Sequence, residues 1–158
     1  RNGKLLSSIF EGNTINTPSM LCFNDLSNAL DWVEKIGGIK SLIKKSQNNL
    51  EIVKKFVQNH NWIDFLCISE LNISSTSICL KFTDQKIVSL AEEKQRQFSK
   101  EIVKLLFEEN VAFDIESYRS APPGLRIWGG PTVETNDIKI LLDWIYWAYK
   151  TIEREKYA

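Results

Sequence analysis

The segment "YRSAPPGLRIW", residues 118–128, holds the chain's strongest chemical signal. Arg126 stands between Leu125 and Ile127 in a short β-prone run. A guanidinium among apolar neighbours needs an anion, because a desolvated, unpaired charge is costly. Its planar fork suits a carboxylate gripped through two parallel hydrogen bonds. The competing reading is an arginine that merely faces outward on a half-exposed sheet. Pro122 and Pro123 ahead of it forbid helix and remove two donors, and Gly124 admits backbone angles that other residues avoid. Arg119 is a second guanidinium beyond the proline turn, and plain solvent exposure is the alternative for it.

A second place is "INTPSM", residues 15–20. Asn16 and Thr17 bring an amide, a hydroxyl and two backbone N–H groups to one point, a set suited to cradling a phosphate. The same residues are common in simple turns, so chain reversal competes. Other chemistries find little support. The chain has no G-x-G-x-x-G, no Walker A loop and no G-x-S-x-G elbow. The single His60 lies in "QNHNW", a polar helix-to-strand turn, and reads as a loop residue. Cys22, Cys67 and Cys79 are odd in number and without C-x-x-C spacing, which suits reduced thiols in a cytoplasmic setting and gives no zinc ligand set.

The 158 residues are the size of one domain, and 43% hydrophobic with 25% charged residues is a globular composition, which excludes disordered and fibrous classes. Twenty basic residues balance twenty acidic ones, with no basic cluster, which argues against nucleic acid or a membrane surface as partner. No apolar run approaches the roughly 20 residues of a membrane span. The chain opens on Arg1 in mid-pattern, as a piece of something longer would.

Periodicity then supplies the elements that must position these groups. Leu26, Ala29, Leu30 and Val33 recur at helical spacing over 24–36, with Asn24 as N-cap and Gly37–Gly38 as stop. A second helix is expected over 39–58, burying Ile39, Leu42, Ile43, Leu50, Val53 and Val57. "WIDFLCI" (62–68) and "SICLKF" (77–82) read as a hairpin with a long loop. Residues 87–109 return to helical period, with "EEKQRQ" as a solvated face. "VAFDI" (111–115) and "LRIWG" (125–129) are further strands, and the stretch from Thr135 is a closing helix. Trp and Phe positions read as core. The order predicts an α+β fold, helices layered on a small mixed or antiparallel sheet.

Taken together, "FEGNTINTPSML", "WVEKIGGIKSLI", "WIDFL", "TSICLKF", "FDIESYRSAPPGLRIWGGPTVE" and "LLDWIYWAY" resemble the C-terminal part of phosphoserine aminotransferase, with the α-proteobacterial type as the closest flavour. The resemblance runs in order along essentially the whole chain. It implies the C-terminal small domain of a fold-type-I transferase dependent on pyridoxal 5'-phosphate, over residues 24–158. Residues 1–23 would be a connecting strip belonging with a large domain. It implies a cytoplasmic homodimer that exchanges an amino group between glutamate and 3-phosphohydroxypyruvate in serine biosynthesis. It assigns Asn16 and Thr17 to the cofactor phosphate of the partner subunit, Arg126 to the substrate α-carboxylate, held unneutralised until substrate arrives, and Arg119 to the phosphate of phosphoserine.

Two departures bear on Arg119. Tyr118 stands where better-known members carry histidine, and the spacing from Arg119 to Arg126 is one residue longer. Members of the family also need a lysine that bonds to the cofactor and shuttles the proton. Lys4 is the one lysine ahead of the Asn-Thr-Pro turn, in a "GKL" stretch that matches a non-catalytic part of the family. The expectation is therefore no catalytic residue in this chain, no metal, little retention of the cofactor and no turnover alone. The alternatives are a serine–glyoxylate or alanine–glyoxylate aminotransferase, or an interaction module using the apolar turn and the Trp144–Trp147 helix.

Overall fold

The computed structural model describes residues 3 and 5–156, so Lys4 lies outside the described residues. Five helices and three strands follow in the order α1 (Met20–Lys35), α2 (Gly38–Gln58), β1 (Ile63–Phe65), β2 (Ser77–Phe82), α3 (Gln85–Val88), α4 (Glu92–Glu108), β3 (Leu125–Trp128) and α5 (Thr135–Lys156), with 3-10 turns at Ser7–Glu11 and Glu70–Asn72. The chain forms two compact units that divide between Ser41 and Leu42, inside α2.

In the first unit, α1 starts five residues earlier than the Asn24 cap implies. Ser19 caps it instead, accepting from the Cys22 N–H at 3.5 Å. Ser19 is as good a cap as Asn24, and Pro18 just before it fixes the chain's entry into the helix. The helix ends at Gly37 and Gly38, whose φ values of 102° and 75° only glycine adopts at little cost. Of its expected apolar stripe, Leu26, Ala29 and Leu30 are exposed and Val33 is half-buried, and Met20 and Phe23 ahead of it are exposed too, so this helix buries no residue.

The second unit holds the core. Its sheet has the order β1-β2-β3 with both pairings antiparallel, Ile63 opposite Phe82, and Cys79 opposite Arg126. Alternate residues Ile63, Phe65, Ile78, Leu80, Phe82, Leu125 and Ile127 are buried, so one face of the sheet is apolar and the other carries Asp64, Lys81, Cys79 and Arg126. That is the pattern of an antiparallel sheet covered on one side. The buried face shares a single core with Leu50 and Val53 of α2, Phe98, Ile102 and Leu106 of α4, and Ile138, Leu142, Ile145, Ala148 and Ile152 of α5. Of the expected α2 face, Ile39 and Ile43 stay exposed.

Three polar groups, Asn49 and Tyr149 buried and His60 half-buried, fix this packing. Asn49 donates to the carbonyls of Gly129, Gly130 and Val133 at 3.0–3.3 Å and accepts from the Thr135 hydroxyl at 2.6 Å, tying α2 to the connection between β3 and α5. Tyr149 stacks on Trp62 with ring centroids 3.8 Å apart and donates its hydroxyl to Asp84. Burial first, and then that hydrogen bond, push its phenol well above the usual tyrosine range. His60 is more than a loop residue: its Nδ1 lies 2.7 Å from the Phe56 carbonyl, and its ring packs on Phe56 and Tyr146.

Four expectations about elements need correction. The first strand is three residues long, extended by one bond from the Leu66 N–H to the Cys79 carbonyl. The 87–109 helix is two helices, because Gln95 turns inward to donate to the carbonyls of Val88 and Leu90 and so satisfies a break in the ladder. Residues 111–115 form no strand. Ala112 and Ile115 are buried at a spacing of three while Phe113 and Asp114 face solvent, and a single bridge from Glu116 to Leu125 is all the pairing present. Trp128 and Phe113 are exposed and not core, Trp128 because it lies on the outer face of β3.

Candidate functional site

The structure places Arg126 where β3 and the preceding loop fold back on each other. The Arg126 N–H donates to the Ile115 carbonyl at 2.9 Å, so residues 115–126 form a closed loop returning to the sheet. Inside that loop the Tyr118 carbonyl accepts from the Ala121 N–H at 2.9 Å, and Arg96 of α4 donates to the Ala121 carbonyl at 3.1 Å. Arg96 thereby pins the Ala-Pro-Pro turn to α4. Periodicity assigned it only to a solvated helix face. The turn and α4 line a cleft of about 410 Å³ whose walls include Gln95, Arg96, Pro122 and Pro123.

Gly124 serves this loop differently from the expectation. It has no left-handed backbone angle; a Cβ there would lie 2.1 Å from the Leu80 carbonyl oxygen, so glycine is needed for close approach to the central strand. The loop can then enter β3 beside β2, and Arg126 emerges on the outer face.

The Arg126 side chain is nevertheless only 13% exposed. Its guanidinium carbon lies 4.6 Å from the centroid of the Tyr118 ring, a cation–π contact that replaces part of the lost hydration. Its Nη2 donates to both carboxylate oxygens of Asp114, each at 3.0 Å. The expectation of an unneutralised arginine is thus corrected, since a carboxylate of the chain itself already sits on it. That carboxylate is 84% exposed, and pairs of this kind contribute about 0–1 kcal/mol. The buried Nε of Arg126 has no hydrogen-bond partner among the described residues. Such an orphaned donor is a cost the fold carries, and it lies on the edge of the guanidinium that a two-bond carboxylate grip would use.

Arg119 lies in the turn directly after Tyr118 with its side chain exposed. Asn16 and Thr17 belong to the first unit, exposed, on the chain leading into α1. Among the described residues neither side chain makes a hydrogen bond, and the first-turn N–H groups of Met20 and Leu21 take none either. No acidic residue occupies the first turn of this 16-residue helix. Exposed amide and hydroxyl side chains, and free N–H groups at the positive end of a helix dipole, are donor types that a phosphate accepts from. Trp144 and Trp147 meet edge to face at 5.1 Å and, with Glu109 and Asp143, line an open recess of about 400 Å³.

No protein-family model matches the chain. Over 153 residues, 97% of its length, the sequence is 48% identical to a phosphoserine aminotransferase of Methanosarcina mazei and, equally, to one of Methanosarcina barkeri. The chain spans 39% of the length of these curated relatives. Among solved structures, 92% of the chain superposes on 37% of a phosphoserine aminotransferase from Bacillus circulans subsp. alkalophilus, with TM-score 0.74 at 18% identity. A second solved phosphoserine aminotransferase matches with TM-score 0.73 at 14% identity. At such identities these two matches speak for the fold, which is the expected helices on a small antiparallel sheet.

Proposed function

We infer that this chain, a member of the phosphoserine aminotransferase family by its 48% identity to two such enzymes, is the C-terminal part of an aminotransferase that exchanges an amino group between glutamate and 3-phosphohydroxypyruvate. The observation that carries the reading is Arg126. It is a guanidinium seated on Tyr118, largely withdrawn from water, with an unpartnered Nε and an exposed counter-ion. A site built this way grips a carboxylate, the group that every amino-acid and oxo-acid substrate of a transaminase shares.

In this reading Arg126 binds and orients the substrate's α-carboxylate, fixing which face of the substrate is presented to the reacting groups. Arg119 reaches the phosphate of phosphoserine from the neighbouring turn. Asn16 and Thr17 hold the phosphate of pyridoxal 5'-phosphate across a cytoplasmic homodimer. Pyridoxal phosphate, when bound, supplies the electron sink for transamination. Residues 24–158 act as the small domain, residues 1–23 connect to a large one, and the lysine that bonds the cofactor comes from elsewhere in the full-length protein. The 158-residue chain alone does not turn over.

The full-length enzyme, given pyridoxal phosphate and glutamate, is expected to form phosphoserine from 3-phosphohydroxypyruvate and to discriminate against glyoxylate. Preference for glyoxylate would support the serine–glyoxylate or alanine–glyoxylate reading instead. Arg119→Ala is expected to raise KM for phosphoserine about tenfold, the loss of one exposed charge-assisted contact. An unchanged KM removes the phosphate role.

Replacing Asn16 by Ala together with Thr17 by Val is expected to weaken pyridoxal phosphate binding about 30-fold, since two hydrogen bonds to a charged group are lost. Binding of pyridoxal, which lacks the phosphate, should not change. Absorbance titration of both ligands checks this, and equal weakening for both would contradict the assignment.

A further inference from the structure

Resting on the carboxylate reading of Arg126, we propose that Asp114 is the resident occupant of that carboxylate seat. Its side chain neutralises the guanidinium while the seat is empty and is displaced by the carboxylate of an incoming ligand. Asp114 is thereby a positioning residue that sets the affinity of the site for carboxylate substrates.

Four observations carry this. First, the pair is lopsided: the arginine side chain is 13% exposed and the aspartate 84%, so releasing Asp114 returns a carboxylate to water without baring a core. Second, the grip is incomplete. Both Asp114 oxygens sit on one nitrogen, Nη2, while Nε on the same edge of the guanidinium has no partner among the described residues. A carboxylate that spans Nε and Nη2 makes the two parallel bonds that Asp114 leaves unmade, and so has an advantage that the tethered side chain lacks.

Third, Asp114 has no other hydrogen bond among the described residues, and it lies just before the Glu116–Leu125 bridge, so its side chain can swing away without disturbing sheet pairing. Fourth, the Tyr118 ring contacts the guanidinium independently of Asp114, which keeps the arginine in place after the aspartate departs. An occupant that must leave before a ligand binds divides the apparent affinity by one plus the closing constant of the pair. For an exposed ion pair that factor is about five.

The test follows the Arg126 Nε–H resonance of the 158-residue chain during titration with 2-oxoglutarate, in the wild type, Asp114→Asn, Asp114→Ser and Arg126→Lys, the last of which identifies the signal by losing it. Asp114→Asn and Asp114→Ser are expected to tighten binding about fivefold, and in the full-length enzyme Asp114→Asn is expected to lower KM for glutamate by the same factor. Unchanged or weaker binding in both Asp114 variants, with binding lost in Arg126→Lys, overturns the proposal and leaves the carboxylate role of Arg126 standing. Equal calorimetric affinity for 2-oxoglutarate in wild type and Arg126→Lys overturns both. Failure of the Arg126 signal to respond at all in Asp114→Asn also overturns the proposal.

Discussion

Arg126→Ala in the full-length enzyme is expected to reduce kcat/KM for glutamate and for phosphoserine alike by about 100-fold, equivalent to about 2.7 kcal/mol. Both proposed substrates present the same α-carboxylate, so an arginine that grips it must affect both. A contact to the phosphate would affect only one. The magnitude follows from the setting: the guanidinium is mostly shielded from water and held against an aromatic face, where a two-bond ionic contact is worth more than on an open surface. Stability should change little. Arg126 lies on the outer face of β3, outside the core formed by Leu125 and Ile127, and its removal leaves Asp114 fully hydrated. Steady-state kinetics together with a melting curve check the two halves of this expectation. A large loss of Tm with intact kcat/KM would make Arg126 a structural residue.

The second large effect falls on the scaffold. Gly124→Ala is expected to cost on the order of 3 kcal/mol and to lower Tm by roughly 6–12 °C. A methyl group there would lie 2.1 Å from the Leu80 carbonyl oxygen, 3.2 Å from its carbon and 3.4 Å from the Lys81 Cα, all backbone atoms of the central strand. No side chain can rotate aside to relieve this, so the loop or β2 must shift, and the pairing of Leu80 with Leu125 is the first to suffer. Because the same turn delivers Arg126 to the outer face, carboxylate binding should fall with stability. Thermal unfolding of the 158-residue chain checks this, and an unchanged Tm would show that the turn does not need its close approach to β2.

These two residues also mark how far the sequence can be read. The core strands and α5 were legible because burial imposes one period on each, and Ile78, Leu80 and Phe82 or Ile138, Leu142 and Ile145 could hardly be placed otherwise. The break between α3 and α4 was not, because it contains neither Gly nor Pro and is stabilised by Gln95 from the following helix. Segment 111–115 misled because its apolar composition suggested a strand, while its buried residues are three apart.

At the site, the need of Arg126 for an anion was legible from its apolar neighbours. Asp114 was not, since it lies 12 residues away and meets the arginine only after the Pro-Pro turn reverses the chain. Tyr118 stood out only as a departure from the family's histidine, and its use as a seat for the guanidinium depends on the same reversal. A signal was available in part: an acidic residue and an aromatic upstream of an arginine-bearing strand, on the other arm of an obvious turn, are natural partners for that arginine.

The decisive quantity is where the guanidinium at position 126 points when a substrate is present. Solving the full-length enzyme with glutamate bound measures this directly. The expected result is the substrate's α-carboxylate bridging Nε and Nη2 of Arg126, with Asp114 turned to solvent. Glutamate bound with its carboxylate on another group, and Arg126 still closed on Asp114, would contradict it.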